Sequence, residues 1–159
     1  MGTREYTPLS LEERPRYKPA MADDYAGDIP PQQAWDILSK EPDAVLVDVR
    51  TDAEWIYVGM PDLAGLGKQP VKIAWQVFPA MQVNPRFVEE VKAAAPKTDA
   101  PLLFLCRSGV RSKSAAIAVT QAGYKRCYNV AEGFEGDKDA SAHRATLGGW
   151  KVAGLPWKQ

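Results

Sequence analysis

Cysteine and histidine are scarce in this sequence of 159 residues, which has two cysteines, Cys106 and Cys127, and one histidine, His143. Two cysteines allow one disulfide at most. In a chain of this size without secretory features, we expect both thiols to be free. At least one of these free cysteines is then expected to have a chemical role.

The sequence also lacks an excess of charge of either sign and any long apolar segment. Its 20 basic and 20 acidic residues give a formal net charge of zero, which does not support bulk attraction to nucleic acid or to an anionic membrane. No apolar run approaches the length of about 20 residues that spans a bilayer. The N-terminal segment has no hydrophobic region of the secretory type. We therefore expect a cytoplasmic protein with neither nucleic-acid nor membrane partners.

What the sequence does contain is an alternation of strand and helix patterns after a polar segment. Residues 1–28 include three prolines without periodicity and predict an N-terminal arm, followed by a domain over 29–159. A run at 44–50, almost wholly apolar until Asp48, and an apolar run at 101–105 are typical of strands buried on both faces. Shorter strands are predicted at 71–75 and 125–130. The alternation predicts a three-layer α/β domain with a mainly parallel sheet.

Helix signals lie between the predicted strands. We expect one helix to begin at Pro30 and Pro31, a second at the Thr51 and Glu54 capping box, a third with Asn84 as N-cap and Pro85 at N1, and an alanine-rich fourth from about Ser112 to Ala122.

The feature with the clearest chemical meaning is Cys106, which directly follows the apolar run Leu102–Leu105 and precedes a short loop and a helix. Cysteine attacks as the thiolate, and a free thiol has a pKa of about 8.5. A helix N-terminus and adjacent cations both lower the pKa of a cysteine thiol. A buried strand that delivers a thiol to a helix N-terminus therefore predicts a nucleophile.

The loop after Cys106 predicts a site for negative charge. Arg107 and Arg111 supply permanent positive charge, and successive N–H groups from 107 to 112 could converge on an anion. Gly109 lets the backbone curl without a Cβ clash. We expect the loop to hold a negative charge on or next to a sulfur atom.

Loop length separates two chemistries that share this design. Cysteine phosphatases place five residues between the cysteine and the arginine, whereas Arg111 follows Cys106 after only four, and Ser112 stands where the phosphatase arginine would be. A loop one residue shorter suits a persulfide sulfur better than a phosphoryl group. Sulfur transfer is therefore favoured over phosphatase or arsenate reductase activity.

Several segments in this order resemble the single-domain rhodaneses, a family of sulfurtransferases. The similar segments are Leu46–Arg50, Cys106–Ser112, Gly123–Tyr124, Tyr128–Val130, Glu132–Phe134, Gly149–Lys151 and Gly154–Trp157. The resemblance implies a three-layer α/β/α rhodanese-like domain with about five central strands. Two departures stand out: the stretch Gly59–Ala64 lacks the family's usual histidine, and residues 135–148 form an insertion that the resemblance places near the mouth of the active site.

The resemblance implies that Cys106 takes sulfane sulfur from a small anionic donor such as thiosulfate, forms a persulfide, and passes the sulfur to cyanide or a thiol. It implies no metal and no organic cofactor. The residues expected to bind donor and persulfide are Arg107, Ser108, Gly109, Val110, Arg111 and Ser112, with Asp48 and Arg50 supporting the loop.

Alternatives remain for several residues and for the function. Arg111 could instead pair with a carboxylate at a neighbouring strand end. Cys127 is expected to be an unreactive packing residue in the core or on the surface, and His143 is expected on the surface. The alternative function is a sulfur-carrier or regulatory module that acts on a protein partner with little thiosulfate turnover. The insertion and the N-terminal arm would suit such a partner.

Overall fold

The chain folds around a parallel β-sheet in a computed structural model that describes residues 24–159. Most of the predicted arm, residues 1–23, lies outside the described residues. Within 24–159 the strands are β1 (Gly27–Ile29), β2 (Val45–Asp48), β3 (Met60–Pro61), β4 (Val71–Lys72), β5 (Gln76–Val77), β6 (Gln82–Val83), β7 (Leu102–Leu105), β8 (Cys127–Val130) and β9 (Trp157–Lys158). The α-helices are α1 (Pro31–Lys40), α2 (Asp52–Tyr57), α3 (Phe87–Ala94) and α4 (Val110–Gln121).

The main sheet has five strands in the order β1-β8-β7-β2-β4, and every pair in it is parallel. The predicted parallel sheet of about five strands is therefore confirmed. Strand β7 lies at its centre, between β2 and β8. Because all five strands run in one direction, their carboxyl ends meet at one edge, where sites form in sheets of this kind.

Both faces of the sheet are buried, as the apolar runs predicted. Along β7 the side chains alternate: Leu102 and Phe104 belong to the cluster formed with α3 and α4. Leu103 and Leu105 belong to the cluster formed with α1, Phe134 and the C-terminal segment. All four β7 side chains are fully buried. This arrangement explains why strand β7 has no polar residue.

Two helix starts agree with the sequence and two do not. Helix α1 begins at Pro31, and Thr51 and Glu54 form the predicted capping box of α2. The prediction of Asn84 as N-cap was wrong, because α3 begins at Phe87 and Asn84 Oδ1 instead accepts from the Arg86 N–H at 3.0 Å, forming a turn before the helix. Helix α4 begins at 110, two residues before the predicted start.

Strand boundaries also differ from the prediction. Strand β4 ends at Lys72, although the N–H groups of Ile73 and Trp75 still donate to the carbonyls of β2 and its next residue, Val49. Strand β8 begins at 127 rather than 125. Strand β1 includes Gly27 and Asp28, which the sequence placed in the arm; with one buried apolar residue in three, it offers little pattern to detect.

None of the helices among residues 24–159 combines the length and apolar composition that crossing a membrane requires.

Replacing Leu103 by alanine tests the central position of β7. Leu103 is fully buried in the cluster that includes α1, so Leu103→Ala should lower the free energy of unfolding by about 2–5 kcal/mol in urea titrations. Ile56→Ala is the control, because Ile56 is 65% exposed and its loss should change stability by about 0.5 kcal/mol or less. Similar losses at both positions would contradict this account of the core.

Candidate active site

Cys106 lies at the carboxyl edge of the sheet, one residue beyond the central strand β7. Residues 106–112 form the cysteine loop. The thiol is free and the residue is 1% exposed. Its Sγ accepts hydrogen bonds from the Gly109 N–H at 3.1 Å and lies 3.1 Å from the hydroxyl oxygen of Ser112. One backbone donor and one side-chain hydroxyl therefore converge on the sulfur.

The loop delivers the sulfur to the start of α4. Gly109 is the N-cap residue, with a φ of 109° in the region that favours glycine, and α4 has no side-chain cap. The first N–H groups of a helix have no partner within the helix, and its macrodipole places partial positive charge there. The predicted juxtaposition of thiol and helix N-terminus is present.

The two arginines of the cysteine loop have different surroundings. The Arg107 side chain is exposed and has no carboxylate partner among residues 24–159. Arg111 forms a bidentate pair with Glu54 of α2, with Nη1–Oε1 at 2.8 Å and Nη2–Oε2 at 3.0 Å. Of the two interpretations of Arg111, the pairing with a carboxylate is thus observed, although the partner comes from a helix and not from a strand end.

This pair is largely shielded from solvent, with both side chains below 20% exposure. Burial by itself acts to raise the pKa of Glu54, but the hydrogen bonds and charge of Arg111 outweigh it and lower that pKa. The opposite balance raises the pKa of Arg111, since burial is outweighed by Glu54. The charge of Arg111 is therefore largely matched, whereas that of Arg107 faces solvent.

Asp48 and Arg50 form a fully buried ion pair where β2 ends. Arg50 Nε donates to Asp48 Oδ1 at 2.9 Å and Nη2 donates to Asp48 Oδ2 at 2.7 Å. Nη2 also donates to the carbonyl of Gly59 at 2.8 Å, and the guanidinium lies 4.4 Å from the ring centroid of Phe134. Loss of either charged partner would leave a buried charge unmatched, which is strongly destabilising.

A turn after β8 holds the backbone of the cysteine loop. The N–H of Phe134 donates to the carbonyl of Cys106 at 2.8 Å, and the N–H of Glu135 donates to the carbonyl of Arg107 at 3.0 Å. A Cβ on Gly133 would lie 2.5 Å from both of these carbonyl oxygens. The close approach therefore requires glycine at position 133.

The insertion at 135–148 begins at this contact and is organised around Asp139. The Asp139 carboxylate accepts from the N–H groups of Ser141 and His143 and from the Thr146 hydroxyl. His143 is exposed, as expected. Its one described hydrogen bond to a carboxylate comes from the backbone.

Sequence reasoning missed Asn129 and its neighbours. The hydroxyl oxygen of Ser112 lies 2.5 Å from Asn129 Oδ1, and Asn129 Nδ2 donates to Asp28 Oδ1 at 3.0 Å and to the carbonyl of Gly109 at 3.1 Å. The available signal was an amide in an otherwise apolar strand end. Glu54 was recognised only as a capping residue, since its pairing with Arg111 joins positions 57 apart.

Cys127 opens strand β8 and is fully buried. Burial raises the pKa of the Cys127 thiol to about 12. Both cysteines are free and Cys127 fills the core, as predicted. Among residues 24–159, no group of three or more His, Cys, Asp and Glu side chains is placed to hold a metal ion.

The sheet order, the flanking helices and the cysteine loop define a rhodanese-like fold, which comparison with solved structures supports. The crystal structure of Rv0390 from M. tuberculosis matches with a TM-score of 0.78 and 48% identity, over 86% of this chain and 99% of that one. The solution structure of the polysulfide-sulfur transferase homodimer from Wolinella succinogenes shares the fold with a TM-score of 0.50 and 20% identity, over 82% and 77% of the two chains.

The chain belongs to the family described as the STR4 middle domain, whose model matches residues 27–159. Uncharacterized protein RC0915 of Rickettsia conorii is 40% identical over 126 residues, which are 79% of this chain and 92% of that protein. Thiosulfate sulfurtransferase GlpE of Actinobacillus pleuropneumoniae is 26% identical over 129 residues, which are 81% of this chain and 90% of that protein.

The Gly133 contact can be tested by adding a single methyl group. Gly133→Ala should destabilise the protein by about 1–3 kcal/mol beyond the cost of its backbone conformation, because the Cβ overlaps two carbonyl oxygens. Gly67→Ala is a matched control: its φ of 68° is close to the 64° of Gly133, but nothing lies within 4 Å of its Cβ position. Equal losses in urea unfolding would show that backbone strain alone accounts for the requirement.

Proposed function

We propose that this protein is a sulfurtransferase that carries sulfane sulfur as a persulfide on Cys106. The observation that carries the proposal is the placement of the Cys106 sulfur between the Gly109 N–H and the Ser112 hydroxyl, at the start of α4. A loop of this length accommodates one additional sulfur atom at the helix N-terminus. The similarity to a thiosulfate sulfurtransferase supports the same chemistry.

The proposed reaction has two displacements at sulfur. The Cys106 thiolate attacks the outer sulfur of thiosulfate, the sulfur–sulfur bond of the donor breaks, and sulfite leaves with the electron pair. The outer sulfur becomes the terminal, negatively charged atom of a persulfide. In the second step cyanide or a thiolate attacks that terminal sulfur, and Cys106 leaves as a thiolate. Neither step requires a metal or an organic cofactor.

The loop residues take separate roles in this proposal. The first N–H groups of α4, from Val110 onward, stabilise the persulfide charge together with Ser108 and Gly109 of the loop. Arg107 attracts the anionic donor, because its charge is exposed and unmatched among the described residues. Arg111, already paired with Glu54, fixes the loop against α2.

The buried ion pair of Asp48 and Arg50 supports the cysteine loop. Arg50 joins Asp48, the Gly59 carbonyl and the ring of Phe134. Phe134 in turn holds the carbonyl of Cys106 through its own N–H. Asp48 and Arg50 therefore act by holding the loop rather than by touching the donor.

A second candidate function is delivery of sulfur to a protein thiol, as in a carrier module. The observation that favours it is an apolar surface beside the cysteine loop. Val110 of the loop is 74% exposed, and Ile56 and Tyr57, which follow the Arg111-paired Glu54 on α2, are also largely exposed. Both functions share the persulfide and differ in the acceptor that removes its sulfur, so a comparison of cyanide with protein thiols as acceptors separates them.

Incubation with thiosulfate should add the mass of one sulfur atom to the intact protein. Cys106→Ser should abolish the gain. Cys127→Ser is the matched control and should retain it, since Cys127 is fully buried and burial raises its pKa to about 12. Cyanide should then remove the added sulfur; removal by protein thiols but not by cyanide would favour the carrier function. No mass gain, with hydrolysis of a phosphate ester instead, would exclude the sulfurtransferase proposal.

Replacing Arg107 tests its role in capturing the donor. Arg107→Ala should raise the KM for thiosulfate about tenfold, because a charge-assisted contact to the dianion is lost. The persulfide yield from a neutral alkyl hydropersulfide, whose terminal sulfur is attacked and whose alkyl thiolate leaves, should change much less. Arg107→Lys keeps the charge and should lie between wild type and Arg107→Ala with thiosulfate. Equal losses with charged and neutral donors would remove the proposed role in anion capture.

A further inference from the structure

The hydroxyl of Ser112 lies between two hydrogen-bond acceptors but has one proton. Its oxygen lies 3.1 Å from Cys106 Sγ and 2.5 Å from Asn129 Oδ1. Ser112 is fully buried and Asn129 is 4% exposed, so the loss of either bond leaves a buried polar group unmatched. The two acceptors therefore compete for a single proton.

The orientation of the Asn129 amide is fixed by its other contacts. Both protons of Nδ2 are used, one by Asp28 Oδ1 at 3.0 Å and one by the Gly109 carbonyl at 3.1 Å. A flipped amide would direct its oxygen at a carboxylate and a carbonyl, neither of which can donate. Sheet register supports this orientation, since Asp28 on β1 is the ladder partner of Asn129 on β8. Oδ1 must therefore face Ser112.

Asp28 is itself held by Tyr25, whose hydroxyl donates to Asp28 Oδ1 at 2.8 Å. Burial and this bond to Asp28 raise the pKa of Tyr25 to about 12, so the hydroxyl remains a donor over the working pH range. The result is a continuous hydrogen-bonded chain from Tyr25 through Asp28, Asn129 and Ser112 to Cys106.

In this hydrogen-bonded chain, the Ser112 hydroxyl and Asn129 Oδ1 both have the partners they need when the Cys106 sulfur carries no charge. In the thiol, S–H donates to the Ser112 oxygen and Ser112 donates to Asn129. In the thiolate, Ser112 can serve the sulfur only by turning its proton away from Asn129, which leaves two oxygens 2.5 Å apart with no proton between them. When Cys106 is a thiolate, Sγ and Asn129 Oδ1 both need the single Ser112 proton, so one of these two acceptors is left without its hydrogen bond from Ser112.

We propose that Asn129 is a positioning residue that withholds the Ser112 proton from Cys106 and thereby disfavours negative charge on Sγ. The charge on a persulfide lies on the terminal atom, and its Sγ is a neutral divalent sulfur, so the Ser112 proton stays with Asn129. Asn129 thus disfavours the empty thiolate relative to the thiol and to the loaded persulfide. The statement about the persulfide rests on the proposed function; the statement about the thiolate does not.

The test is the pH titration of the resting enzyme, followed by the ultraviolet absorbance of the thiolate and corrected with the matching Cys106→Ser proteins. Asn129→Ala should shift the thiolate midpoint down by about one pH unit, because Ser112 is then free to donate to the sulfur. A purely structural disturbance of the loop would weaken the Gly109 contact and move the midpoint upward. An upward shift or no shift would overturn the proposal.

A double-mutant cycle determines whether the effect passes through the hydroxyl. In a Ser112→Ala background, Asn129→Ala should leave the midpoint unchanged, and a full shift there would contradict the proposal. Tyr25→Phe is the control at the far end of the chain; it removes a bond to Asp28 but leaves the amide orientation intact, so its midpoint should match wild type.

A second pair of variants keeps the proposal testable if Asn129→Ala does not fold. Asp28 is exposed, so substitutions there should be tolerated. Asp28→Asn removes the charge but keeps an oxygen acceptor for the Asn129 amide, whereas Asp28→Ala removes both. The midpoint of Asp28→Ala should lie below that of Asp28→Asn, and equal midpoints would contradict the role of amide orientation. All these measurements omit sulfur donor, so they stand whether or not thiosulfate loads the enzyme.

Discussion

The geometry of the candidate active site depends on three backbone hydrogen bonds that join the cysteine loop to the turn after β8. Phe134 donates to the carbonyl of Cys106, and Glu135 and Gly136 donate to that of Arg107. Only glycine at 133 permits the two segments to approach so closely. These bonds direct the loop carbonyls toward the turn. They also carry the Phe134 ring to the guanidinium of Arg50. The cysteine loop is therefore supported from the side opposite to helix α4.

Polar groups on the two strands that flank β7 support the cysteine loop. The central strand places the thiol at the carboxyl edge, the buried Asp48–Arg50 pair occupies the end of the neighbouring strand, and Asn129 occupies the strand on the other side. Each neighbour contributes a polar group that forms several hydrogen bonds within the protein, although Arg50 Nη1 has no partner among the described residues. Because interior polar groups without partners are costly, such networks favour one conformation of the loop.

Sequence patterns predicted the parts of this structure that depend on local signals. The apolar runs of β2 and β7, the capping box at Thr51 and the cysteine ahead of a helix each lie within a few residues. The contacts that complete the site do not. Glu54 meets Arg111 across 57 positions, and Asp28 meets Asn129 across 101. No short pattern records such pairs, and β1 is too short to show its place in the sheet. Asn84 is not the N-cap of α3 because its side chain accepts a hydrogen bond from the Arg86 N–H in the turn that precedes the helix.

The position of the second cysteine has a consequence for any sulfur bound to the first. Cys127 pairs with Leu102 at the start of β7, and Cys106 lies four residues further on, about 13 Å away along the strand direction. A disulfide requires Cα atoms within about 7 Å, so no thiol in the described part of the chain can reach Cys106. Under the proposed function, a sulfur atom on Cys106 therefore has no second thiol within residues 24–159 to receive it, and its release requires a separate acceptor molecule.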